Sequence, residues 1–444
     1  MTAGHDRPPI PARGLLPIGA DVNLDGHLMI GGCDASALLA EFGSPLYVYD
    51  EATIRGMCQA FISEFRAQYL DTHISYSCKA FASPALARLL AEEGVGMDVV
   101  SGGELAVAEA AEFPASELNF HGNNKSREEL EQALAYGIAL VTVDSLSELD
   151  LLDDVARARG VRQRVLLRVS PSIDARTHLL TTTGVLDTKF GFPIETGQAA
   201  EAVRAALSLG NLDVAGVHFH LGSPIFELAP YEQAIRYVLE FAAGMRGDGL
   251  DLQVFSPGGG FAIGYVEEQP APSVAEYARA IAGAVKDACA ALGLREPRLV
   301  VEPGRAVVGR AGVALYTVGA VKDIPGVRKY VSVDGGMGDN IRPALYGARY
   351  TALAATRMWD EPTEKVTIAG KFCEAGDLLV RDARLPRLET GDVVAVPATG
   401  AYCVSMASNY NMAVRPAIVM VRDGEPRLIR RRETYRDLLS TSTL

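Results

Sequence analysis

The sequence predicts an α/β protein: a (β/α)8 TIM barrel, plus a C-terminal all-β domain, sandwich- or barrel-like, that also takes up the N-terminal segment. Three observations carry this. Apolar strand-like runs alternate with helix-like stretches eight times between residues 48 and 309, a span close to the roughly 250 residues such a barrel needs. Nearly every run ends on a reactive or polar residue, as expected where all strand ends face one mouth. After about residue 310 the alternation stops, and short β-type runs separated by turn residues follow. The expected division is 48–309 for the barrel, and 1–47 with 310–444 for the β domain. An open doubly wound sheet is the alternative; the count of eight and the polar strand ends favour the barrel.

In chain order, residues 1–47 read as a turn-rich lead-in with short β segments, punctuated by Pro8, Pro9, Pro11 and Pro17. The eight strand candidates are ISYSCKA (74–80), VGMDVV (95–100), LNFHG (118–122), LVTVDS (140–145), VLLRVS (165–170), VAGVHFHLG (214–222), LQVFSPGG (252–259) and LVVEPG (299–304). Their polar ends are Lys79, Asp98, His121, Asp144, Arg168, His220, the glycine triplet, and Glu302 with Arg305. Ser83-Pro84 starts the first intervening helix, with a side-chain cap and then a ring at the first helical position. Capping boxes are expected at Ser126/Glu129, Ser145/Glu148 and Ser273/Glu276. The later β runs are VALYTVGAV, KYVSVDGG, KVTIAG, DVVAVPATGAY and PAIVMV. The boundary has no Gly/Ser linker, which predicts firm packing of the two domains.

A hydrophobic fraction of 48% with 22% charged residues describes an ordinary globular chain. The net charge of −13 argues against nucleic acid or anionic membrane as a general partner. No signal-peptide pattern opens the chain and no apolar run reaches the roughly 18 residues of a membrane helix. The six cysteines form no close pair of the CxxC type, as expected of reduced thiols in a cytoplasm.

The chemistry centres on Lys79, where a core strand stops before its helix begins. Apolar surroundings ease loss of a lysine's proton, and a neutral amine attacks carbonyls, including the aldehyde of pyridoxal phosphate. A snorkelling or ion-paired lysine is the bland alternative. Gly258-Gly259-Gly260 follows strand seven, where backbone amides in barrels commonly close on a phosphate. Glu302 ends strand eight; a carboxylate there can keep the ring nitrogen of pyridoxal phosphate protonated, or simply pair with Arg305. His218 and His220, two apart on a strand, share a face. They raise a metal-dependent barrel hydrolase as a reading of another class, which leaves Lys79 and the triplet unexplained; an imidazole stacked on a flat ring is the other use.

Taken together, the chain resembles the alanine-racemase-like, fold type III, pyridoxal-phosphate decarboxylases, and within them the diaminopimelate-decarboxylating branch. The residues that carry this are SYSCKAF, DVVSGGEL, HGNNKS, VDS, KFG, HFHLGS, GGGF, EPGR, DGGMGDNIRPALYGARY, CEAGD, and GAY through SNYN, in family order over nearly the whole chain. The resemblance implies pyridoxal 5'-phosphate held by Lys79, with His220 stacked on its ring and Glu302 at the ring nitrogen. It implies a phosphate site of Ser223, Gly259, Gly260 and Tyr402, with Arg305 nearby. It makes Lys79, Cys373 and His220 the catalytic set, with Cys373 the proton donor after carbon dioxide leaves. Glu374 would take the substrate's distal ammonium; Arg305, Arg342 and Tyr346 its distal carboxylate, beside Tyr402. It also implies a cytoplasmic homodimer with shared sites, Cys373 and Glu374 reaching into the partner's barrel, and no metal, nucleic acid or membrane.

The implied reaction is decarboxylation of meso-2,6-diaminopimelate to L-lysine in lysine biosynthesis. Ornithine, lysine or carboxynorspermidine is the alternative substrate, and a non-catalytic homologue a further reading. Glu374 matches a distal ammonium and Arg342 a distal carboxylate by two-point contact, unless Arg342 pairs with Asp339. Ala375, Pro224 and Gly338 depart from the family's usual residues at those positions.

Overall fold

The computed structural model describes residues 9–175, 178, 181–184 and 186–443; Pro8 and the rest of the first eight residues of the lead-in lie outside them. The chain forms two compact units: Arg55–Ala262 with Ala271–Ala306, and Met1–Ile54 with Ile263–Pro270 and Val307–Leu444.

The first unit is an eight-stranded parallel barrel, as the sequence predicts. Its strands are β1 (Thr72–Ser77), β2 (Gly96–Val99), β3 (Leu118–Phe120), β4 (Leu140–Val143), β5 (Gln163–Ser170), β6 (Leu212–His218), β7 (Val254–Ser256) and β8 (Arg298–Val301). Each pairs with the next and β8 pairs back onto β1 through Val301 and Ile74, so no edge is left open. Leu140, Leu166, Ala215, Val254 and Val300 form a buried cluster from five consecutive strands, the side-chain layer that makes such a barrel solid.

One irregularity positions the site. In β6, Val214 faces Val165 but Gly216 faces Leu166, so Ala215 is an extra residue. Gly216 has a φ of 155° and a Cβ there would lie 1.8 Å from the Val254 carbonyl oxygen; only glycine tolerates that approach. The bulge sets His218 opposite Arg168; without it Val217 would stand there.

Helix starts follow the expected caps. Ser83 accepts from Leu86 N, and Ser126/Glu129 and Ser273/Glu276 are complete capping boxes. Ser145 caps Glu148 N, but the expected reciprocal half is missing. The Glu148 carboxylate instead takes Lys125 Nζ at 2.6 Å and Asp144 N at 3.0 Å. A buried ammonium is the stronger partner for it than a helix-end amide.

In the second unit, strands Leu378–Leu385, Glu364–Ala369, Arg328–Val333, Gly312–Ile324, Leu46–Asp50, Ala417–Arg422 and Glu425–Arg430 run across one sheet in that order. Val393–Val396 and Leu353–Ala354 branch from it. A core of Leu46, Val48, Val313, Leu315, Ala395, Val419 and their neighbours is sealed by residues of the lead-in such as Leu16, Val22 and Leu28. The lead-in carries the expected short β segments, but it is core-forming rather than polar and adds a helix, Ala35–Phe42. Of the sheet's strands outside the expected runs, 46–50 and 353–354 are buried, and the two others are 378–385 and 425–430. Both are rich in charge and partly exposed, so they lack the apolar signature of a half-buried strand.

Candidate active site

In the barrel unit, Lys79 sits on a 3-10 turn, Cys78–Ala80, just past β1. Cys78 and Ala80 are buried and Lys79 is exposed. The apolar enclosure expected for its amine is therefore absent, while its charge is felt by His220 and Glu104.

Glu302 follows β8 and is buried. Its Oε2 accepts from His218 Nε2 at 3.2 Å and its Oε1 from Ser256 Oγ at 2.6 Å. His121 Nε2 lies 3.9 Å from Oε1 and 3.5 Å from Asp98 Oδ1. Arg305, the alternative partner of Glu302, is not among these contacts. Burial opposes the charge on Glu302, but His218, His121 and the two hydrogen bonds outweigh it and hold the carboxyl well below the usual range. Burial pushes His218 down, while Glu302 and Asp98 overcome burial to raise His121. The cluster thus favours charge on Glu302 and on His121 and disfavours it on His218, whose Nε2 faces the Glu302 carboxylate. His218 Nδ1 is buried with no hydrogen-bond partner.

His121, His218 and Glu302 are also the grouping with metal-ligand spacing among the described residues. It is not the His218/His220 pair expected from strand alternation. β6 ends at His218, so the alternation does not extend to His220. His220 is turned to the glycine triplet, where its Nδ1 accepts from Gly259 N at 3.2 Å. Burial, and then the charges of Lys79 and Arg168, push His220 well below the ordinary imidazole value.

The triplet is closely enclosed. A Cβ on Gly259 would lie 2.1 Å from the Glu302 carbonyl oxygen, and one on Gly260 2.5 Å from that of Gly222. Ser223 follows Gly222, and Arg305 Nη2 lies 3.3 Å from its hydroxyl. Ser223, Gly260 and Arg305 therefore come together, while the Gly259 amide is spent on His220.

In the sheet unit, Arg342 and Tyr346 open and close one short helix. Arg342 is buried. Its guanidinium lies over the Tyr265 ring at 4.7 Å and the Tyr350 ring at 5.5 Å, and Nη1 donates to the Tyr350 hydroxyl. No carboxylate among the described residues stands in ion-pair distance of it. Asp339, the alternative partner, takes Tyr47 Oη at 3.0 Å, Tyr316 Oη at 2.5 Å and Gly336 N at 2.8 Å instead. Neither tyrosine is signalled by local pattern: Tyr265 is distant in sequence, and the helix that Arg342 opens stops at Tyr346, short of Tyr350.

Cys373 and Glu374 are exposed on a turn that Asp377 holds, accepting from Met337 N at 2.6 Å and Phe372 N at 2.8 Å. Cys373 N donates to Asn411 Oδ1 at 2.8 Å. Gly338 has a physical role: a Cβ there would lie 2.2 Å from the Phe372 ring. Ala375 is exposed, and Tyr402 is half-buried at φ 60°.

Residues 52–309 match the family model for the pyridoxal-binding domain of pyridoxal-dependent decarboxylases. The diaminopimelate decarboxylase of Bacillus subtilis is 46% identical over 418 residues, 94% of this chain and 95% of that one. That of Mycobacterium tuberculosis is 42% identical over 425 residues, 94% of each. Among solved structures, diaminopimelate decarboxylase from M. jannaschii in complex with L-lysine has a TM-score of 0.89 at 35% identity, covering 96% of this chain and 98% of that one. The Helicobacter pylori enzyme complexed with L-lysine has a TM-score of 0.84 at 32% identity, covering 92% and 98%.

Proposed function

Since the chain belongs to the pyridoxal-dependent decarboxylase family, we propose that it uses pyridoxal phosphate to convert meso-2,6-diaminopimelate to L-lysine and carbon dioxide. The observation within the fold that supports this substrate is Arg342. A buried guanidinium without a carboxylate of its own is costly unless an anion arrives. Diaminopimelate brings a second carboxylate; ornithine does not and would leave Arg342 unmatched.

The barrel residues fit the cofactor. Glu302 is an ionised buried carboxylate, able to hold a pyridine nitrogen protonated. The enclosed triplet beside Ser223 and Arg305 offers the Gly260 amide, a hydroxyl and a cation to a phosphate, with the Gly259 amide joining once it leaves His220. Lys79 presents an exposed amine. When bound, the cofactor supplies a protonated ring into which the electrons of the breaking carbon–carboxylate bond delocalise.

Lys79 would hold the cofactor, His220 pack on its ring, and Ser223, Gly259, Gly260, Arg305 and Tyr402 bind its phosphate. Glu374 would take the distal ammonium, and Arg342 the distal carboxylate, with Tyr346 and Arg305 assisting. One proton must return to carbon after carbon dioxide leaves. The Cys373 thiol or the Lys79 amine can supply it.

The working form is a cytoplasmic homodimer. Cys373 and Glu374 are exposed, and Tyr410 and Met412, which flank the Asn411 that anchors Cys373, are 40% and 56% exposed. A second copy would cover this apolar surface. No helix among the described residues is long and apolar enough to cross a membrane.

Carbon dioxide release tests the reading, measured with meso-diaminopimelate, L-lysine, L-ornithine and carboxynorspermidine in turn. Release from diaminopimelate alone, with lysine appearing, is expected; release from ornithine or lysine instead would overturn the substrate. Mixing inactive Lys79→Ala and Cys373→Ala proteins should restore part of the activity if sites are shared between copies.

A further inference from the structure

Arg342 is held in an unusual way. Its charge is buried, yet everything that the structure places on it is aromatic. Tyr265 lies under the guanidinium and Tyr350 beside it, and the two rings meet edge to face at 5.2 Å and 78°. The Tyr350 hydroxyl accepts from Arg342 Nη1. Cys403 Sγ lies 3.7 Å from Ala401 O and 3.6 Å from the Tyr350 hydroxyl, so sulfur flanks the phenol on the side away from Arg342. The Tyr350 oxygen thus keeps an acceptor side on Arg342. Thr351 Oγ1 donates to Tyr265 O at 3.3 Å and fixes that residue's backbone.

We propose that Tyr350 and Tyr265 are the positioning residues that make Arg342 selective for a substrate with a distal carboxylate. The inference rests on the substrate reading above and adds to it the residues that set the specificity. Ring faces stabilise a guanidinium without neutralising it. A carboxylate partner would neutralise it and close the site. Tyr350 takes up Nη1 and so leaves Nε and Nη2, the edge that meets a carboxylate in two parallel hydrogen bonds. Tyr265 sets the plane in which that edge lies. Their effect therefore belongs to binding of the distal carboxylate and not to the bond-breaking step.

The test compares two inhibitors that differ in the carboxylate. L-Lysine keeps one carboxylate; cadaverine has none. In Tyr350→Phe holoenzyme the ring stays and the hydroxyl goes. The inhibition constant for lysine should rise about tenfold to a hundredfold, the usual worth of a hydrogen bond to a charged group, and that for cadaverine should not change. The KM for meso-diaminopimelate should rise in step, with kcat within about twofold. Tyr265→Leu, which removes the ring face, should show the same pattern. Equal weakening of lysine and cadaverine, or no change for either, would overturn the inference. Arg342→Lys is run in parallel. If it separates the two inhibitors while the tyrosine variants do not, the tyrosine inference alone fails. If it does not separate them, the substrate reading fails and takes the inference with it.

Discussion

Two buried carboxylates in this chain are driven in opposite directions. Glu302, in the barrel unit, has two imidazoles and a serine hydroxyl around it and is held below the usual range. Asp339, in the sheet unit, is held by two phenols and an amide; burial, its largest influence, pushes it up to about 6 against their hydrogen bonds. Neutral donors satisfy lone pairs without offsetting the cost of burying charge, whereas a protonated imidazole does both. The barrel cluster thus balances its charges internally. The sheet unit does not: it has a carboxylate without a cation and, a few residues on, a cation without a carboxylate. That Arg342 and Asp339 are not paired is what leaves Arg342 for a ligand.

The comparison can be broken at several points. Lys79→Ala should lower turnover by at least about ten-thousandfold, since no other amine stands in its place. Because Lys79 is exposed, the melting temperature should not move, and a variant that turns over near the wild-type rate would end its assignment. Glu302→Gln removes the charge offered to the ring nitrogen, leaving Asp98 as the carboxylate beside His121, and should cost about a thousandfold in kcat. Retained cofactor absorbance in that variant separates lost electrostatics from lost binding. Arg342→Ala should lower kcat/KM for diaminopimelate about a hundredfold, the loss expected of one buried charge pair. Any slow turnover of ornithine should be spared, and equal losses on both would make Arg342 structural.

The smallest effect concerns Asp339, where the sign follows from linkage. Its folded value lies above the ordinary 3.8, so the folded state binds the extra proton between about pH 4 and pH 6. Its contribution is favourable below that window and is lost as pH rises through it, by at most about 3 kcal/mol. In Asp339→Asn this dependence disappears. The variant's melting temperature relative to wild type should therefore improve by a few degrees from pH 4 to pH 7. A constant difference would mean that Asp339 titrates normally.

Much of this was legible in the sequence. Eight alternations and their polar ends led to the barrel, because strand period and cap chemistry are local. The ordered motifs led to the family. What was not legible depends on irregularities and long-range contacts. Alternation placed His218 and His220 on one face, but the strand stops at His218 and a bulge resets the register before it. Gly216 inside an apolar strand is the kind of signal that marks such a bulge. Arg305 beside Glu302 in sequence suggested a pair, yet His218, from another strand, takes the carboxylate. Glu148 had the spacing of a capping box but was drawn off by Lys125. The Tyr265–Arg342–Tyr350 cluster joins residues 77 and 8 positions from the arginine, which no periodicity can reveal.

The strand Leu46–Asp50 lies between Gly312–Ile324 and Ala417–Arg422 in its sheet, antiparallel to the first and parallel to the second. On the ribosome it emerges early, with both edges unsatisfied, and its neighbours emerge only after the whole barrel has been made. Domains fold as units during synthesis, so the barrel, though inserted in the middle of the chain, can finish first. The segment that begins the sheet unit must wait, apolar and unpaired, until its partners at 312–315 and 417–421 have been made. That interval is when this chain is most exposed to aggregation and most in need of a chaperone.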